Sequence, residues 1–371
     1  MRVLHVITTL EKGGAEKQLV VLSRNQRSLG LSIRVAALKG NLELKDELEN
    51  AQLLLIDELR NVGFLHQILA LRRIIKNEKI DLLHLHLPRA EILGNLATSF
   101  MKTSIVSSRH NTEKFFPSAP VFVSSTLSRF TTLRFDAVIA ISNSVKTFLL
   151  TKREVSKRRK LPVILYGYDE KESCVKEPRL LSSGTKLERF VTLSRLVPQK
   201  DLKTMIKGLA IYRDKFGFGQ LEIYGEGHLK EALFDYAESE NVDSFVFFRG
   251  RTANVAQVLQ QNQVFLLSSK YEGFGLVLLE AMQQGIPIIC PKNSAIAEVM
   301  GDSYPLFFQT SNPENLAQNM AALQEPANYV KSSRLGLERL MSFDPLLCAE
   351  STIKVYYGNF DSGRRRQGSR G

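Results

Sequence analysis

The chain has 371 residues, of which 44% are hydrophobic and 24% are charged. This length exceeds the size at which one hydrophobic core stops growing, so two domains are expected, and the composition excludes an intrinsically disordered protein. The net charge is +12, and residues 102–160 alone carry 12 basic and 3 acidic side chains. Such a patch suits a phosphorylated substrate, an anionic membrane or nucleic acid, but no nucleic-acid-binding motif accompanies it.

Apolar runs alternate with amphipathic segments along the first half of the chain. Residues 2–8 predict a strand, and 15–29 predict the helix that follows it and ends near Gly30. The remaining elements predicted here are strands over 32–38, 80–87, 104–110 and 136–142, and helices over 65–79 and 90–100. Strands that alternate with helices indicate an α/β domain built on a parallel sheet.

A polar segment, about 170–185, predicts a linker, after which the alternation restarts. The second half predicts strands over 188–196, 220–227, 245–250, 264–269 and 286–290, and helices over 201–216, 229–240, 255–262 and 276–285. We predict two Rossmann-like domains that face each other across a cleft. The predicted boundaries are 1–172 for the first domain, 173–344 for the second, about 345–360 for a helix that packs back on the first, and 361–371 for a disordered tail.

Cysteine usage and hydropathy address the location of the protein. The three cysteines, Cys174, Cys290 and Cys348, have no metal-ligand spacing and suggest a reducing compartment. No apolar run reaches the length of a membrane span, and the N-terminal segment lacks a signal-peptide cleavage site. We predict a cytoplasmic protein whose basic face contacts the inner side of the cell membrane, with an ordinary solvated face as the alternative.

Two carboxylates and two glycines stand out in the apolar segment 268–290. Glu272 and Gly273 fall in a loop between a predicted strand and a helix that begins near Phe274 or Gly275. Glycines let the backbone approach a ligand, and a helix N-terminus favours a phosphate. Glu280, about two turns into the helix, could accept hydrogen bonds from the vicinal hydroxyls of a sugar, since a carboxylate in apolar surroundings needs such partners.

Two further candidate loops each follow the first predicted strand of one half of the chain. Arg195 and Lys200 lie five positions apart after the first strand of the second half, so both could meet one anion. Gly13 and Gly14 lie in the loop after the first strand of the chain and could cradle a phosphate, although such a pair is more often only a tight turn.

The segment from Glu272 to Pro287, with two glutamates eight positions apart, Ala-Met after the second and a Gly-x-Pro ending, resembles the E-x7-E motif of the retaining glycosyltransferases of family 4, which have the GT-B fold. The resemblance implies that Glu272 hydrogen-bonds the transferred sugar and that Glu280 holds the ribose of a nucleotide. It implies donor contacts by the residues between them, namely Gly273, Phe274, Gly275 and Leu276.

The resemblance extends over nearly the whole chain. It implies that Arg195 and Lys200 contact the donor diphosphate, that Gly13 and Gly14 lie near the donor phosphate, and that His110 faces the donor sugar and supports transfer. Two positions depart from the family pattern: Ser194 stands where Gly is common, and Tyr166 stands where Asn is usual.

Two histidine features remain open at this stage. An isolated His110 is more often a structural hydrogen-bonding group than a catalytic one. His84 and His86 have the His-x-His spacing of a metal site, but no third ligand is evident, and alternate strand residues share one face in any case. We interpret His84 and His86 as part of the wall of the predicted cleft, with His86 or Arg89 near the acceptor.

The predicted function is transfer of a hexose, with retention, from a nucleoside diphosphate sugar to a hydroxyl of a lipid-linked or oligosaccharide acceptor in cell-surface polysaccharide or lipopolysaccharide synthesis. A UDP-linked donor is favoured. No Asp-x-Asp metal motif occurs, so we expect neither a metal nor another cofactor. The alternatives are a non-catalytic sugar-nucleotide-binding partner protein, and an epimerase or a phosphorylase-like enzyme of the same fold that needs pyridoxal phosphate.

Overall fold

The structure is a computed structural model that describes residues 1–169, 175, 177–182 and 184–367, and the side chains at 294 and 359–367 are left aside. The chain divides into two compact units, Met1–Asp169 with Phe343–Gly371, and Glu170–Ser342. The predicted domain boundary at 172/173 and Cys174 lie outside the described residues.

The first unit contains a six-stranded parallel sheet in the order β3-β2-β1-β4-β5-β6. Its strands are β1 (Arg2–Ile7), β2 (Ser32–Ala37), β3 (Leu54–Ile56), β4 (Leu82–His86), β5 (Ser104–Arg109) and β6 (Ala137–Ala140). All five residues of β4 and five of the six in β1 are buried, as expected for central strands covered on both faces. The register places His5 of β1 beside His84 of β4.

Helices cover this first sheet. They are α1 (Gly14–Ser28), α2 (Lys45–Asn50), α3 (Phe64–Asn77), α4 (Pro88–Ala97), α5 (Val121–Thr132), α6 (Asn143–Thr151) and the later α14 (Pro345–Gln367). Helix α14 packs against α1 and places Tyr356 in the core of this unit. The helix runs to Gln367, so the predicted disordered tail is helical over 361–367; its arginines are good helix formers.

The second unit has the same kind of sheet, in the order β12-β11-β10-β7-β8-β9. Its strands are β7 (Arg189–Leu193), β8 (Gln220–Tyr224), β9 (Val246–Gly250), β10 (Val264–Leu266), β11 (Ile288–Pro291) and β12 (Phe307–Phe308). Its helices are α7 (Leu202–Phe216), α8 (Lys230–Ser239), α9 (Val255–Gln261), α10 (Leu276–Gln283), α11 (Ser294–Met300), α12 (Pro313–Ala322) and α13 (Pro326–Leu340). The predicted α/β class with two domains is confirmed.

None of the helices within the described residues combines the length and the apolar character that a membrane crossing needs.

Backbone packing positions the loop that follows β7. Ser194 N donates to Tyr224 O over 2.9 Å, and Leu196 N donates to Glu226 O over 2.9 Å. A Cβ at Gly225 would lie 1.9 Å from Ser194 O, and a Cβ at Gly227 would lie 2.3 Å from Leu196 O. The loop after β8 therefore holds the loop that carries Arg195 through direct backbone contact, which a larger residue would prevent.

We expect Gly227→Ala to lower the stability of the protein by about 1–3 kcal/mol, the usual cost of overpacking, because the carbonyl of Leu196 cannot rotate away as a side chain could. Thermal unfolding followed by circular dichroism should show a decrease of several degrees. Gly336→Ala is the matched control, since its Cβ would meet Met282 Cγ at an ordinary 3.6 Å. Equal melting temperatures for the two variants would contradict the steric explanation.

Candidate functional site

The second unit brings its polar loops together at the centre of its sheet. Strands β7 and β10 are neighbours, with β8 and β9 on one side and β11 and β12 on the other. This reversal of strand order is a topological switch point, where open α/β sheets bind ligands beyond the carboxyl ends of the strands. The loop after β7 contains Arg195 and Lys200, and the loop after β10 contains Glu272.

An ion pair joins these two loops. Lys200 Nζ lies 2.5 Å from Glu272 Oε1, and the two side chains are only 14% and 10% exposed. Ser269 Oγ donates to the same carboxylate oxygen over 2.6 Å. Lys200 and Glu272 were predicted to make separate contacts, to the diphosphate and to the sugar. The structure shows that they are direct partners, 72 positions apart.

Hydrogen bonds to the backbone fix the position of Lys200. Ser268 Oγ donates to the carbonyl oxygens of Lys200 and Asp201, over 2.6 and 3.0 Å. Asp201 has a φ of +49° and leads the chain from a 3-10 turn at Pro198–Lys200 into helix α7. Lys270 N donates to Gln199 O over 2.9 Å. Lys200 therefore projects from a backbone that both loops hold.

The helix after this loop begins directly after a glycine, one residue beyond the predicted start near Phe274 or Gly275. Gly275 precedes α10 with a φ of +90°, a conformation that favours glycine, and Leu276 is the first helical residue. Gly273 and Phe274 are buried beside Glu272. Glu280 is the fifth residue of the helix and partly buried, so it lies little more than one turn from the helix start rather than the expected two.

Arg195 differs from Lys200 in its surroundings. Its side chain is exposed and forms no hydrogen bond or ion pair with another residue of the described part of the chain. Its backbone is nevertheless held by the loop after β8. The guanidinium of Arg195 is thus available to an anion, whereas the ammonium of Lys200 is engaged with Glu272.

The carboxyl group of Glu16, in the first turn of helix α1, lies close to the Gly-Gly loop of the first unit. Gly13 precedes helix α1, and Gly14 is the first residue of that helix. A Cβ at Gly13 would lie 2.3 Å from Glu16 Oε2. Glu16 is buried and accepts a hydrogen bond from Thr9 Oγ1 over 2.8 Å, and burial raises its pKa. The carboxyl of Glu16 therefore lies directly against the predicted phosphate loop, a contact that spacing did not reveal.

His110 belongs to a cluster of four histidines in the first unit. His110 Nε2 lies 3.0 Å from His86 Nδ1, and His86 Nε2 lies 3.0 Å from His5 Nδ1. His84, the fourth member, bonds Tyr356 and Ser108. Desolvation lowers the pKa of all four imidazoles, to about 4 for His5 and about 3 for His110.

The cluster changes the interpretation of the His-x-His pair. His5 supplies a third histidine beside His84 and His86, and the ring nitrogens of the three are close enough to hold a metal ion. Each of their ring nitrogens, however, already has a hydrogen-bond partner. The approach of His5 to the pair could be predicted only from the strand register, because β1 and β4 are adjacent parallel strands that place His5 beside His84.

The neighbouring arginines are structural in this unit. Arg109 Nη2 donates to Glu91 Oε2 over 2.8 Å, and its Nη1 donates to Glu154 Oε2 over 3.1 Å, all three side chains being buried. Arg89 donates to Gln67 Oε1 over 3.0 Å. Arg89 and His86, the residues predicted to lie near the acceptor, thus have hydrogen-bond partners within the unit.

Both halves of the chain match models of glycosyltransferase families. The model of "Glycosyltransferase Family 4" matches residues 12–172, and that of "Glycosyl transferases group 1" matches 176–332. The crystal structure of Anabaena HepE in complex with UDP and glucose superposes with a TM-score of 0.79, covering 96% of this chain and 100% of that one. At 18% sequence identity, this likeness shows the fold.

Two curated relatives share parts of the sequence. The GtfA subunit of the UDP-N-acetylglucosamine–peptide N-acetylglucosaminyltransferase of Streptococcus pneumoniae is 30% identical over 29% of this chain. The GPI3 subunit of the phosphatidylinositol N-acetylglucosaminyltransferase of Saccharomyces cerevisiae is 24% identical over 77% of this chain. The matches span 21% of the first relative and 65% of the second, so the chain covers less than two thirds of either protein.

Because its histidines are buried, the protein is expected to become less stable as the pH falls. The pKa of His5 is lowered from 6.5 to about 4, so the folded state binds a proton less readily than the unfolded state. The stabilisation is present above pH 6.5 and is lost as the pH falls towards 4. We expect His5 to contribute a decrease of about 2 kcal/mol in the free energy of unfolding between pH 7 and pH 5.

Urea unfolding followed by circular dichroism at the two pH values measures this decrease. His5→Leu should remove about that much of the pH dependence, although the variant is less stable at pH 7. His66→Leu is the control, because His66 is exposed on helix α3 of the same unit. A decrease of the same size in His5→Leu as in the unmodified protein would contradict the assignment of the pH effect to His5.

Proposed function

The chain belongs to the glycosyltransferases of family 4 and has their GT-B fold. We propose that it is a retaining hexosyltransferase whose donor is a UDP-linked sugar bound by the second unit. One observation carries the proposal: the Lys200–Glu272 ion pair at the switch point of the second sheet, beside the start of helix α10. The solved HepE structures that contain UDP, glucose or UDP-glucose support the choice of donor.

The groups around the ion pair match the parts of a nucleoside diphosphate sugar. The exposed guanidinium of Arg195, the ammonium of Lys200 and the N-terminus of α10 would hold the diphosphate, since each favours negative charge. Glu272 would accept hydrogen bonds from the sugar hydroxyls. Glu280, farther along the helix, would accept them from the ribose.

Donor binding would exchange one partner for another at Lys200. In the structure, Lys200 neutralises Glu272, which is only 8% exposed. A diphosphate would take over the ammonium, and sugar hydroxyls would then stabilise the carboxylate, because a buried charge without partners is costly. The site would thus be complete only when diphosphate and sugar arrive on one molecule.

We propose the front-face transfer step that the family resemblance implies. The bond between the anomeric carbon and the phosphate oxygen breaks, and the acceptor oxygen bonds the same carbon from the same face. The departing phosphate takes the proton of the acceptor hydroxyl, and Arg195 and Lys200 stabilise the negative charge that remains on the diphosphate. We propose a lipid-linked or oligosaccharide acceptor in cell-surface polysaccharide or lipopolysaccharide synthesis, supported by the phosphatidylinositol named for the yeast relative.

We expect Glu272→Gln to lower transfer of radiolabelled hexose from UDP-hexose to a lipid extract by at least about 100-fold, the usual effect of removing one group that stabilises the transition state. The thermal shift that UDP produces should persist, because the diphosphate contacts remain. Glu314→Gln is the matched control, since Glu314 is exposed in the first turn of α12.

Two results would count against the proposal. Undiminished transfer by Glu272→Gln would remove Glu272 from the site. A UDP shift with no transfer to any acceptor, in the unmodified protein, would favour the alternative of a non-catalytic sugar-nucleotide-binding partner.

The first unit also has an exposed apolar and basic surface, which we name the α4–α5 face: Leu96, Phe100, Phe122, Leu127, Phe130 and Leu133, with Lys102 and Arg129. Phe100, Phe122 and Phe130 are 100%, 80% and 69% exposed. Arg134, at the end of α5, donates to the carbonyl oxygens of Asn95 and Thr98 at the end of α4, which holds the two helix ends together. We propose that this face contacts an anionic membrane and that the protein acts at the inner side of the cell membrane.

We expect Phe122→Ser combined with Phe130→Ser to weaken co-sedimentation with vesicles that contain anionic phosphatidylglycerol by at least about tenfold, since buried apolar area and charge both contribute to binding. Vesicles of phosphatidylcholine alone should bind weakly in either case. Leu346→Ser with Leu347→Ser is the control, because both leucines are exposed on helix α14 of the same unit. Equal vesicle binding by the two double variants would rule out the α4–α5 face as the docking surface.

A further inference from the structure

A continuous chain of hydrogen bonds runs through the first unit from the amide of Gln26 to the ring of His110. Gln26 Oε1 lies 2.8 Å from His5 Nε2, and His5 Nδ1 lies 3.0 Å from His86 Nε2. His86 Nδ1 lies 3.0 Å from His110 Nε2, and His110 Nδ1 bonds the hydroxyl of Tyr166. Gln26 and His5 have no exposed surface, and His86 is 1% exposed.

The amide gives this chain a direction. The oxygen of Gln26 can only accept, so His5 donates from Nε2 and, as a neutral imidazole, accepts at Nδ1. His86 must then donate from Nε2 to His5 and accept at Nδ1. By the same rule, His110 donates from Nε2 to His86, which leaves its Nδ1 to accept the hydroxyl proton of Tyr166.

A second branch of the chain agrees with this direction. Gln26 Nε2 donates to Tyr356 Oη over 2.9 Å, and Tyr356 Oη lies 2.6 Å from His84 Nδ1. The Tyr356 hydroxyl accepts from the amide, and its own proton is then best placed on His84 Nδ1, the basic nitrogen 2.6 Å away. Both tyrosines thus donate to imidazole nitrogens, the favourable arrangement, since a phenol is an acidic donor and an imidazole nitrogen is a basic acceptor.

The same chain resists protonation. An imidazolium donates from both nitrogens, so a proton added to His86 would place two donors against each other. Burial acts in the same direction and lowers the pKa of His86, and it lowers that of His110 to about 3, helped by the charge of Arg109. All members of the chain therefore remain neutral at physiological pH.

We propose that Gln26, His5 and His86 are positioning residues that hold His110 in one neutral tautomer, with the proton on Nε2, and that Tyr166 fixes the other end. The functional part of this inference rests on the proposed glycosyl transfer and on the role in it that the family resemblance implies for His110. The tautomer itself depends only on the first unit.

The proposal assigns His110 a different task from that of a general base. Both of its ring nitrogens have partners inside the first unit, so neither is free to remove a proton from an acceptor. His110 instead presents a fixed neutral dipole, and the departing phosphate remains the proton acceptor. Tyr166 stands where the family usually has Asn. Its hydroxyl then supplies the hydrogen-bond partner that His110 Nδ1 needs at the end of the histidine cluster.

The tautomer can be measured directly by NMR on the protein labelled with 15N-histidine. The chain has six histidines, and the His110→Asn variant assigns the signals of His110 by their loss. We expect His110 to have a protonated Nε2 and a bare Nδ1. His86→Phe should abolish this single tautomer and lower kcat for transfer about tenfold, with the donor KM unchanged.

Phenylalanine is chosen because a cavity of about 30 Å³ adjoins His86, His110 and Tyr166. Such a cavity has room for a water molecule, which could restore the link after a truncation to alanine. His84→Phe is the matched control: His84 is equally buried on the same strand, but it lies on the branch that does not lead to His110. It should leave the tautomer of His110 intact and change kcat no more than about twofold.

Three outcomes would overturn the proposal. They are a protonated Nδ1 or a mixture of tautomers in the unmodified protein, equal losses of kcat in His86→Phe and His84→Phe, and stoichiometric zinc in the purified protein, because a metal-bound nitrogen cannot be the donor in this chain. A protein with no transfer activity but with the expected tautomer would refute the proposed function and leave the positioning intact.

Discussion

The ion pair between Lys200 and Glu272 is the interaction on which the candidate site of the second unit depends. Two nearly buried charges require each other, because removal of either partner leaves a charge in a poorly solvated place, at a cost of about 3–5 kcal/mol. The pair connects the loops after β7 and β10, the two strands at which the sheet order reverses. Serine hydroxyls complete it, with Ser269 on the carboxylate and Ser268 on the backbone of Lys200. The same ion pair therefore holds the two loops together at the switch point of the sheet.

Backbone packing makes that arrangement possible. Gly225 and Gly227 allow the loop after β8 to lie directly against the loop that carries Arg195, where any Cβ would meet a carbonyl oxygen. Gly275 provides the positive φ from which helix α10 starts beside Glu272. These glycines have structural tasks, and they serve function indirectly by setting where a charged side chain and a helix start meet.

In the first unit, the central strands carry buried imidazole rings where apolar side chains are usual. Burial of four histidines is tolerable because each ring is neutral and its nitrogens are hydrogen-bonded, so no polar atom of the cluster loses its partner. The helix that contributes Tyr356 comes from the C-terminal end of the chain. Completion of this polar core therefore requires α14, which explains why a segment so distant in sequence belongs to the first unit.

The sequence by itself determined the α/β class, the two-domain division and most strands and helices, because apolar periodicity and turn residues are local properties. It also determined which loops follow the central strands, and so pointed to Arg195, Lys200 and Glu272. Only the tertiary structure decided that Lys200 pairs with Glu272, that Glu16 lies against Gly13, and that His5 joins His84 and His86. These contacts join residues from different strands and loops, and strand order and register, which no local pattern encodes, bring them together.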